Sequence, residues 1–365
     1  MTRPQLARAL KSTVKAGSAA ARIPASAALC RLGKSREFQS CSTSISSSPR
    51  ARLSLKPHPA PSCVIARRSS SSTSAAAASS SSAFEGLEPV ELAYDVIQPT
   101  AAKEGTEGQC LVICHGLFGS KQNWRSLAKA FSVQLGMPVY TIDLRNHGTS
   151  PHAEPHTYAA MATDLDHLFR KLGLKGINLL GHSMGGKAVM AFALNPDFNQ
   201  DLRSLISVDM SPAVGRISPE FKAYTEGMRK VDEARVRSKA EADRILQEVE
   251  PILSTRQFLL TNTRTLPSGD LSFRIPLDLL DRSIPSIGDF PYPPPDALGA
   301  PTWPGPTLFL KGEHSKYLNR HNIPVAKGYF PEMRLEVLPT GHWVHAEEPA
   351  ETLRLVKEFV QAIDR

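Results

Sequence analysis

The chain has 365 residues and a net charge of +8, from 43 Lys/Arg against 35 Asp/Glu. Thirteen of those bases but a single acid, Glu37, fall in residues 1–84, so residues 85–365 hold 30 bases against 34 acids and the positive balance belongs to the leader. No apolar run of 18 residues exists to span a membrane, and no apolar segment of the kind that directs secretion follows the N-terminus.

The opening "MTRPQLARALKSTVKAGSAAARI" can form a basic amphipathic helix, and residues 1–84 contain 21 serines in runs such as "RRSSSSTSAAAASSSS" that no hydrophobic core could use. An Arg-rich, Ser-rich, acid-poor N-terminus is the composition of an organelle transit peptide, most often mitochondrial, which places residues 85–365 in an organelle interior such as the mitochondrial matrix. A disordered basic tail is the plainer alternative. A nucleic-acid arm would need stacking aromatics, and Phe38 and Phe84 are the only two, so no nucleic-acid partner is expected. Of five cysteines, Cys30, Cys41 and Cys63 lie in the leader. Cys110 and Cys114, four apart on one strand, are too distant for a bridge and are expected as small buried packing residues.

From residue 85 onward, short apolar runs alternate with helical patterns. The strand candidates are 91–97, 110–116, 138–144, 176–182, 204–210, 306–312 and 334–340. Helix candidates lie at 121–134, 158–172, 185–194 and in the closing "EPAETLRLVKEFVQAI". Continuous apolar strands alternating with helices predict an α/β fold with a mainly parallel, doubly wound sheet, whose functional residues follow the C-terminal ends of strands. Between about 213 and 290 the alternation stops. That stretch reads as helices only, "PEFKAYTEGMRKVDEARV", "KAEADRILQEVEPILSTRQFLLTNT" and "PLDLLDRSI", either a helical cap over the site or a separate interaction module. The Pro-rich 291–306 then leads back to the sheet as an extended connector.

Gly181-His182-Ser183-Met184-Gly185 fits G-x-S-x-G, with an apolar strand before it and a helix-compatible segment after it. In that context small neighbours let a serine occupy a sharp turn with its hydroxyl exposed at a helix N-terminus. A serine nucleophile needs a base and an orienting acid. The base candidate is His342 in "LPTGHWVHAEEP", directly after the last strand; His345 competes, although Pro349 suggests that it belongs to the turn entering the last helix. Many proteins of this pattern carry the acid in a G-x-x-D turn after the penultimate strand. Here that turn is Gly312-Glu313-His314-Ser315, with serine at the acid position. One strand earlier, Asp209 ends an apolar run where burial would be costly without a partner. It gives the chain order Ser, Asp, His; Glu313 is the second candidate, and Asp209 could instead merely cap the turn after its strand. For an oxyanion, backbone N–H donors are expected from Met184, after the nucleophile, and from Leu117 in "HGLFGS".

Taken in order, "HGLFGSKQNW", "DLRNHGTSP", "GHSMGGKAVM", "VDMSP", "GPTLFLKG" and "GHWVHAEEP" resemble blocks of the α/β-hydrolase superfamily. The similar subgroup comprises bacterial esterases of the HGLFGS type, animal mitochondrial α/β-hydrolase-domain proteins and fungal ethanol acetyltransferases. The resemblance spans about residues 88–365. It implies an α/β-hydrolase fold, the acid at Asp209, and no metal or nucleotide cofactor. Asp143-Leu144-Arg145-Asn146-His147-Gly148 departs from the familiar D-x-R-G-H-G turn as this subgroup does. Dehalogenases and epoxide hydrolases use aspartate where this chain has Ser183. The resemblance further implies acyl transfer through an acyl-serine: an esterase or thioesterase if water accepts the acyl group, an acyltransferase if ethanol or another alcohol does. Short acyl groups, from an ester or an acyl-CoA, are the favoured donors, with longer acylglycerols as the alternative. The competing class is a protein that binds and protects a mitochondrial partner through the 213–290 insertion, for which the Ser183, Asp209, His342 set would be dispensable.

Overall fold

A computed structural model describes residues 83–363. Residues 1–82 of the expected leader, with its amphipathic helix and its three cysteines, lie outside the described residues; Phe84, drawn as the last residue of the leader, instead packs against Phe198 and Tyr292 of the folded part.

Seven strands form the main sheet: β1 (Tyr94–Ile97), β2 (Cys110–Cys114), β3 (Val139–Ile142), β4 (Ile177–His182), β5 (Leu202–Val208), β8 (Thr307–Gly312) and β9 (Met333–Leu338), in the order β1-β3-β2-β4-β5-β8-β9. Only β1 runs antiparallel to its neighbour; the other pairs are parallel. The central strands are continuous apolar runs because both sheet faces are covered. In β2, Val112 and Cys114 enter one core while Leu111 and Ile113 enter the other, and in β8 Phe309 opposes Leu308 and Leu310 in the same way.

Helices α1 (Arg125–Leu135) and α10 (Pro349–Ala362) bury Phe131, Leu135, Val356 and Val360 on one face. Helices α2 (Tyr158–Leu172) and α3 (Met184–Ala193) bury Met161, Leu165, Val189 and Phe192 on the other. The ends of α2 are where its sequence puts them: the Thr157 side chain accepts from Ala160 N–H, and Gly173 ends the helix with φ +62°. Cys110 and Cys114 are buried free thiols, and burial pushes the Cys110 thiol up to about 12.

The stretch read as helices only requires correction. Between α4 (Glu220–Glu233), α5 (Lys239–Leu246), α6 (Leu253–Leu259) and α7 (Leu277–Ile287) lies a hairpin, β6 (Thr263–Thr265) with β7 (Leu271–Phe273). The single helical pattern expected through 239–263 is broken before Pro251, since proline disfavours helical backbone in the residue preceding it. Three-residue strands carry too little alternation to be seen in sequence. Two short helices, α8 (Ile323–Tyr329) and α9 (Val344–Glu347), were also not anticipated. No helix among the described residues is long and apolar enough to cross a membrane.

The exit of the insertion is fastened to the sheet-packed helices. At the C-terminus of α7, Tyr158 Oη donates to Ile287 O at 2.7 Å, and Lys187 Nζ donates to Gly288 O at 3.1 Å and Asp289 O at 2.9 Å. A cation on the last carbonyls of a helix meets its negative end. Burial nevertheless lowers the Lys187 amine to about 8. Lys187 lies one turn beyond Ser183, so the helix that follows Ser183 also anchors the segment that returns from the insertion.

Candidate active site

Ser183 sits between β4 and α3 with φ +54° and ψ −120°, a conformation that a non-glycine residue rarely adopts. Close packing holds it there. A Cβ on Gly181 would meet Gly185 O at 2.2 Å, and one on Gly185 would meet His115 O at 2.4 Å. Glycine at both positions therefore lets strand and helix cross at a separation no other residue permits. Ser183 N–H donates to Val208 O at 3.1 Å, which ties the turn to the next strand.

That next strand ends at Asp209, itself at φ +51° and fully buried. Asp209 N–H donates to Leu310 O at 2.7 Å, and Oδ1 accepts Gly312 N–H at 3.0 Å. Oδ2 accepts the Ser315 hydroxyl and, at 2.6 Å, Nδ1–H of His342. His342 Nε2 is then the acceptor for Ser183 Oγ–H at 2.9 Å. The structure thus brings Ser183, Asp209 and His342 together in one hydrogen-bonded chain, in an arrangement able to move a proton from serine oxygen to imidazole. Glu313 is exposed and outside this chain. His345 is buried, stacked on Trp124 at 4.1 Å, with no hydrogen bond to Ser183.

The serine in the G-x-x-D position, already visible in the sequence, has a partner that only the structure shows. Ser315 stands where the acid would be in the commoner pattern, and its hydroxyl donates to the acid that comes instead from β5. Because β5 and β8 are neighbours in the sheet, either strand end can reach the same imidazole.

The model for the α/β-hydrolase fold matches residues 109–349. The chain belongs to the α/β-hydrolase family. This hydrolase is 37% identical, over 75% of its own length and 85% of the other's, to the sn-1-specific diacylglycerol lipase ABHD11 of Xenopus laevis. It is 33% identical, over 75% and 84% respectively, to a Saccharomyces cerevisiae protein named "probable alcohol acetyltransferase". Among solved structures, a marine microorganism esterase superposes with a TM-score of 0.66 at 31% identity, covering 74% of this chain and 99% of that one. Its relatives carry out ester chemistry under their printed names, and this chain is an α/β-hydrolase enzyme.

Around the hydrolase's central chain, buried histidines fix the loops. His182 Nε2–H donates to His342 O at 3.0 Å. The carboxylate of Glu347 accepts both Gly341 N–H at 2.8 Å and Trp343 N–H at 3.2 Å, so the loop is held on each side of His342. The Tyr317 ring lies 4.1 Å from the imidazole. On the opposite side, His115 Nδ1–H donates to Gly116 O at 2.8 Å while its Nε2 accepts Leu144 N–H at 3.1 Å. His147 Nδ1–H donates to Arg145 O at 3.0 Å while its Nε2 accepts Phe118 N–H at 3.1 Å. Each of these two rings needs one bare nitrogen, so each must be neutral. In the same turn Asn146 takes the place of the familiar glycine at φ +68°, a conformation asparagine tolerates. Of the expected donors, Leu117 lines the cavity together with Ser183, and Met184 follows Ser183 as the first residue of α3.

Ser183 and His342 open into a cavity of about 1050 Å³. Leu117 and Leu127 from the sheet-packed side, and Phe221, Phe258 and Leu259 from the insertion, give it apolar walls. Its charged lining residues are Glu220, Glu250 and Glu347, and no Lys or Arg is among them.

Five histidines, His115, His147, His156, His182 and His345, are held below the ordinary histidine value, in each case chiefly by burial; His156 and His345 are pushed down to about 3. Above about pH 6.5 such rings are neutral in both folded and unfolded chains. As pH falls below that value, the unfolded chain takes up protons that the folded one refuses, so stability is lost from about 6.5 down toward the depressed folded values. Each ring contributes a slope approaching about 1.4 kcal/mol per pH unit. Urea unfolding of the hydrolase should therefore show a midpoint that drops steeply as pH falls from about 6.5 toward about 5 and is nearly flat above about 7; a midpoint indifferent to pH in the lower window would mean that these rings are not buried neutral.

Proposed function

We propose that the protein is a serine hydrolase that cleaves uncharged acyl esters through an acyl-serine intermediate, and that it works inside mitochondria. The observation that carries this reading is the unbroken chain from Asp209 through His342 to Ser183 at a largely apolar cavity. His342 Nε2 takes the hydroxyl proton as Ser183 Oγ bonds to the ester carbonyl carbon, and the carbonyl π electrons move onto oxygen. The N–H groups of Leu117 and Met184 donate to that oxyanion, each contributing roughly 3 kcal/mol to the transition state. Asp209 keeps the imidazole tautomer and stabilises its cation. The imidazolium then protonates the leaving alcohol as its bond to the acyl carbon breaks. Water, deprotonated by the same imidazole, releases the acid from Ser183; an alcohol in that position yields a new ester instead.

The cavity sets the substrate class. Its volume is at the upper end of the ~300–1,000 Å³ typical of drug-sized ligand sites, so acyl chains well beyond acetyl can be accommodated. The insertion acts as the cap over this cavity, since Phe221, Tyr224, Phe258 and Leu259 all come from it. Coenzyme A brings a diphosphate and a further phosphate, all anionic. A lining with three glutamates and no base offers those charges no partner and a repulsive field. Uncharged esters, of the kind a diacylglycerol lipase is named for, suit it better than acyl-CoA. The basic, acid-poor leader supports mitochondrial import.

Ser183→Ala should fold normally and lose roughly three or more orders of magnitude in turnover of a p-nitrophenyl ester. Asp209→Asn should be crippled similarly while Glu313→Gln stays near wild type; the reverse ranking would move the acid to the later strand. For donor charge, the same acyl group is offered as the neutral N-acetylcysteamine thioester and as the CoA thioester. The neutral compound should have at least a roughly tenfold higher kcat/KM at low salt, with the CoA rate rising as salt screens the repulsion. A CoA rate that is higher and falls with salt would contradict the charge argument. Residues 1–84 fused to a fluorescent protein should direct it to mitochondria, and a diffuse cytosolic signal would remove the localisation.

A further inference from the structure

The insertion reaches the oxyanion side of the site through one buried side chain. Asn262 ends the short 3-10 turn Leu260–Asn262 that follows α6, and it is 2% exposed. Its Nδ2 donates to Phe118 O at 2.7 Å and Leu259 O at 3.3 Å. Its own carbonyl accepts Arg274 N–H at 2.9 Å, so the residue is fixed from the insertion side.

Phe118 O belongs to the peptide whose N–H is that of Gly119, and Gly119 N–H donates to Gly116 O at 2.9 Å. Gly116 O in turn belongs to the peptide whose N–H is that of Leu117. Three amide groups are therefore linked head to tail: the Asn262 side chain, the Phe118–Gly119 peptide and the Gly116–Leu117 peptide, which ends at Leu117 N–H beside Ser183. In such a chain each amide polarises the next, strengthening the terminal donor. The same links fix its direction, and Phe118, at φ +59°, needs fixing because that backbone conformation is unfavourable for a bulky residue. His115 Nδ1–H is a second donor to Gly116 O, at 2.8 Å, and His147 holds Phe118 N–H.

We propose that Asn262 is a positioning residue: from the insertion, it orients and polarises the Leu117 N–H that receives the oxyanion. This rests on the acyl-serine reading above. It makes the insertion part of the transition-state machinery as well as a wall of the cavity.

The test uses the full chain as wild type, Asn262→Asp, Asn262→Ala and Ser183→Ala. Substrates are p-nitrophenyl acetate, butyrate and octanoate, and the inhibitor is an aliphatic trifluoromethyl ketone, whose adduct with serine carries an oxyanion. Asn262→Asp keeps the shape but replaces the donor with an acceptor facing Phe118 O; Asn262→Ala serves if that repulsion prevents folding, which thermal unfolding monitors. The expected result is a kcat loss of roughly tenfold to a hundredfold, the same for all three acyl lengths, with KM within about threefold of wild type. Affinity for the ketone should weaken by a similar factor. An unchanged kcat and ketone affinity would overturn the proposal. So would a loss confined to KM that grows with acyl length, because Asn262 would then only shape the cavity through Leu259. Residual wild-type turnover in Ser183→Ala would instead remove the underlying acyl-serine reading, whatever the Asn262 variants do.

Discussion

The molecule is organised around the close crossing of β4 and α3 at Ser183. With positive φ at Ser183 and no room for a Cβ at Gly181 or Gly185, this turn is a local cost that surrounding packing must over-determine. What it achieves is directional. The serine oxygen projects beyond the sheet edge at the start of a helix, whose free N–H groups and dipole favour negative charge. The strands on either side then end where partners are required: β2 leads into the Gly116–Phe118 loop, and β5 leads into Asp209.

The neighbouring loops are irregular, and buried irregular backbone needs an acceptor or donor for each polar group. Neutral histidines meet that need because one ring can donate at one nitrogen and accept at the other. His115 and His147 do so between "HGLFGS" and "DLRNHG", joining two segments about thirty residues apart into one rigid wall. Burial keeps these rings uncharged, and a single added proton would remove an acceptor and leave a charge in the core. The rigidity of the site and the acid sensitivity expected of the fold thus have one physical cause.

The sheet was largely legible because its strands are continuous apolar runs and its helices carry recognisable ends, as at Thr157 and Gly173. The residues of the hydrogen-bonded set Ser183–His342–Asp209 could be picked out too, the first two from motif and position, the third from the cost of an unpartnered acid at the end of a buried strand and from the resemblance. The insertion was legible only in part, since its helices fall on the expected segments but its hairpin and the break within 239–263 do not. Its hairpin consists of three-residue strands, too short for a two-residue period to accumulate, and Pro251 ends a pattern that otherwise continues as helical. Asn262 could not have been found at all, since its partner lies 144 residues away in sequence and an asparagine in a polar turn carries no periodic signal.

Ser315 shows how an acid can occupy different strand ends without changing the geometry of the base. The imidazole needs a carboxylate at Nδ1, and the ends of β5 and β8 are adjacent. With the carboxylate on β5, the β8 turn no longer supplies charge, but the slot it faces still contains a buried anion needing donors. Gly312 N–H and the Ser315 hydroxyl fill that role from the same turn. An acid left at 315 would place two carboxylates around one imidazole, where like charges oppose each other and one would have to take up a proton. Serine there is small, neutral and a donor, and each of those properties is required by an anion that arrives from the neighbouring strand.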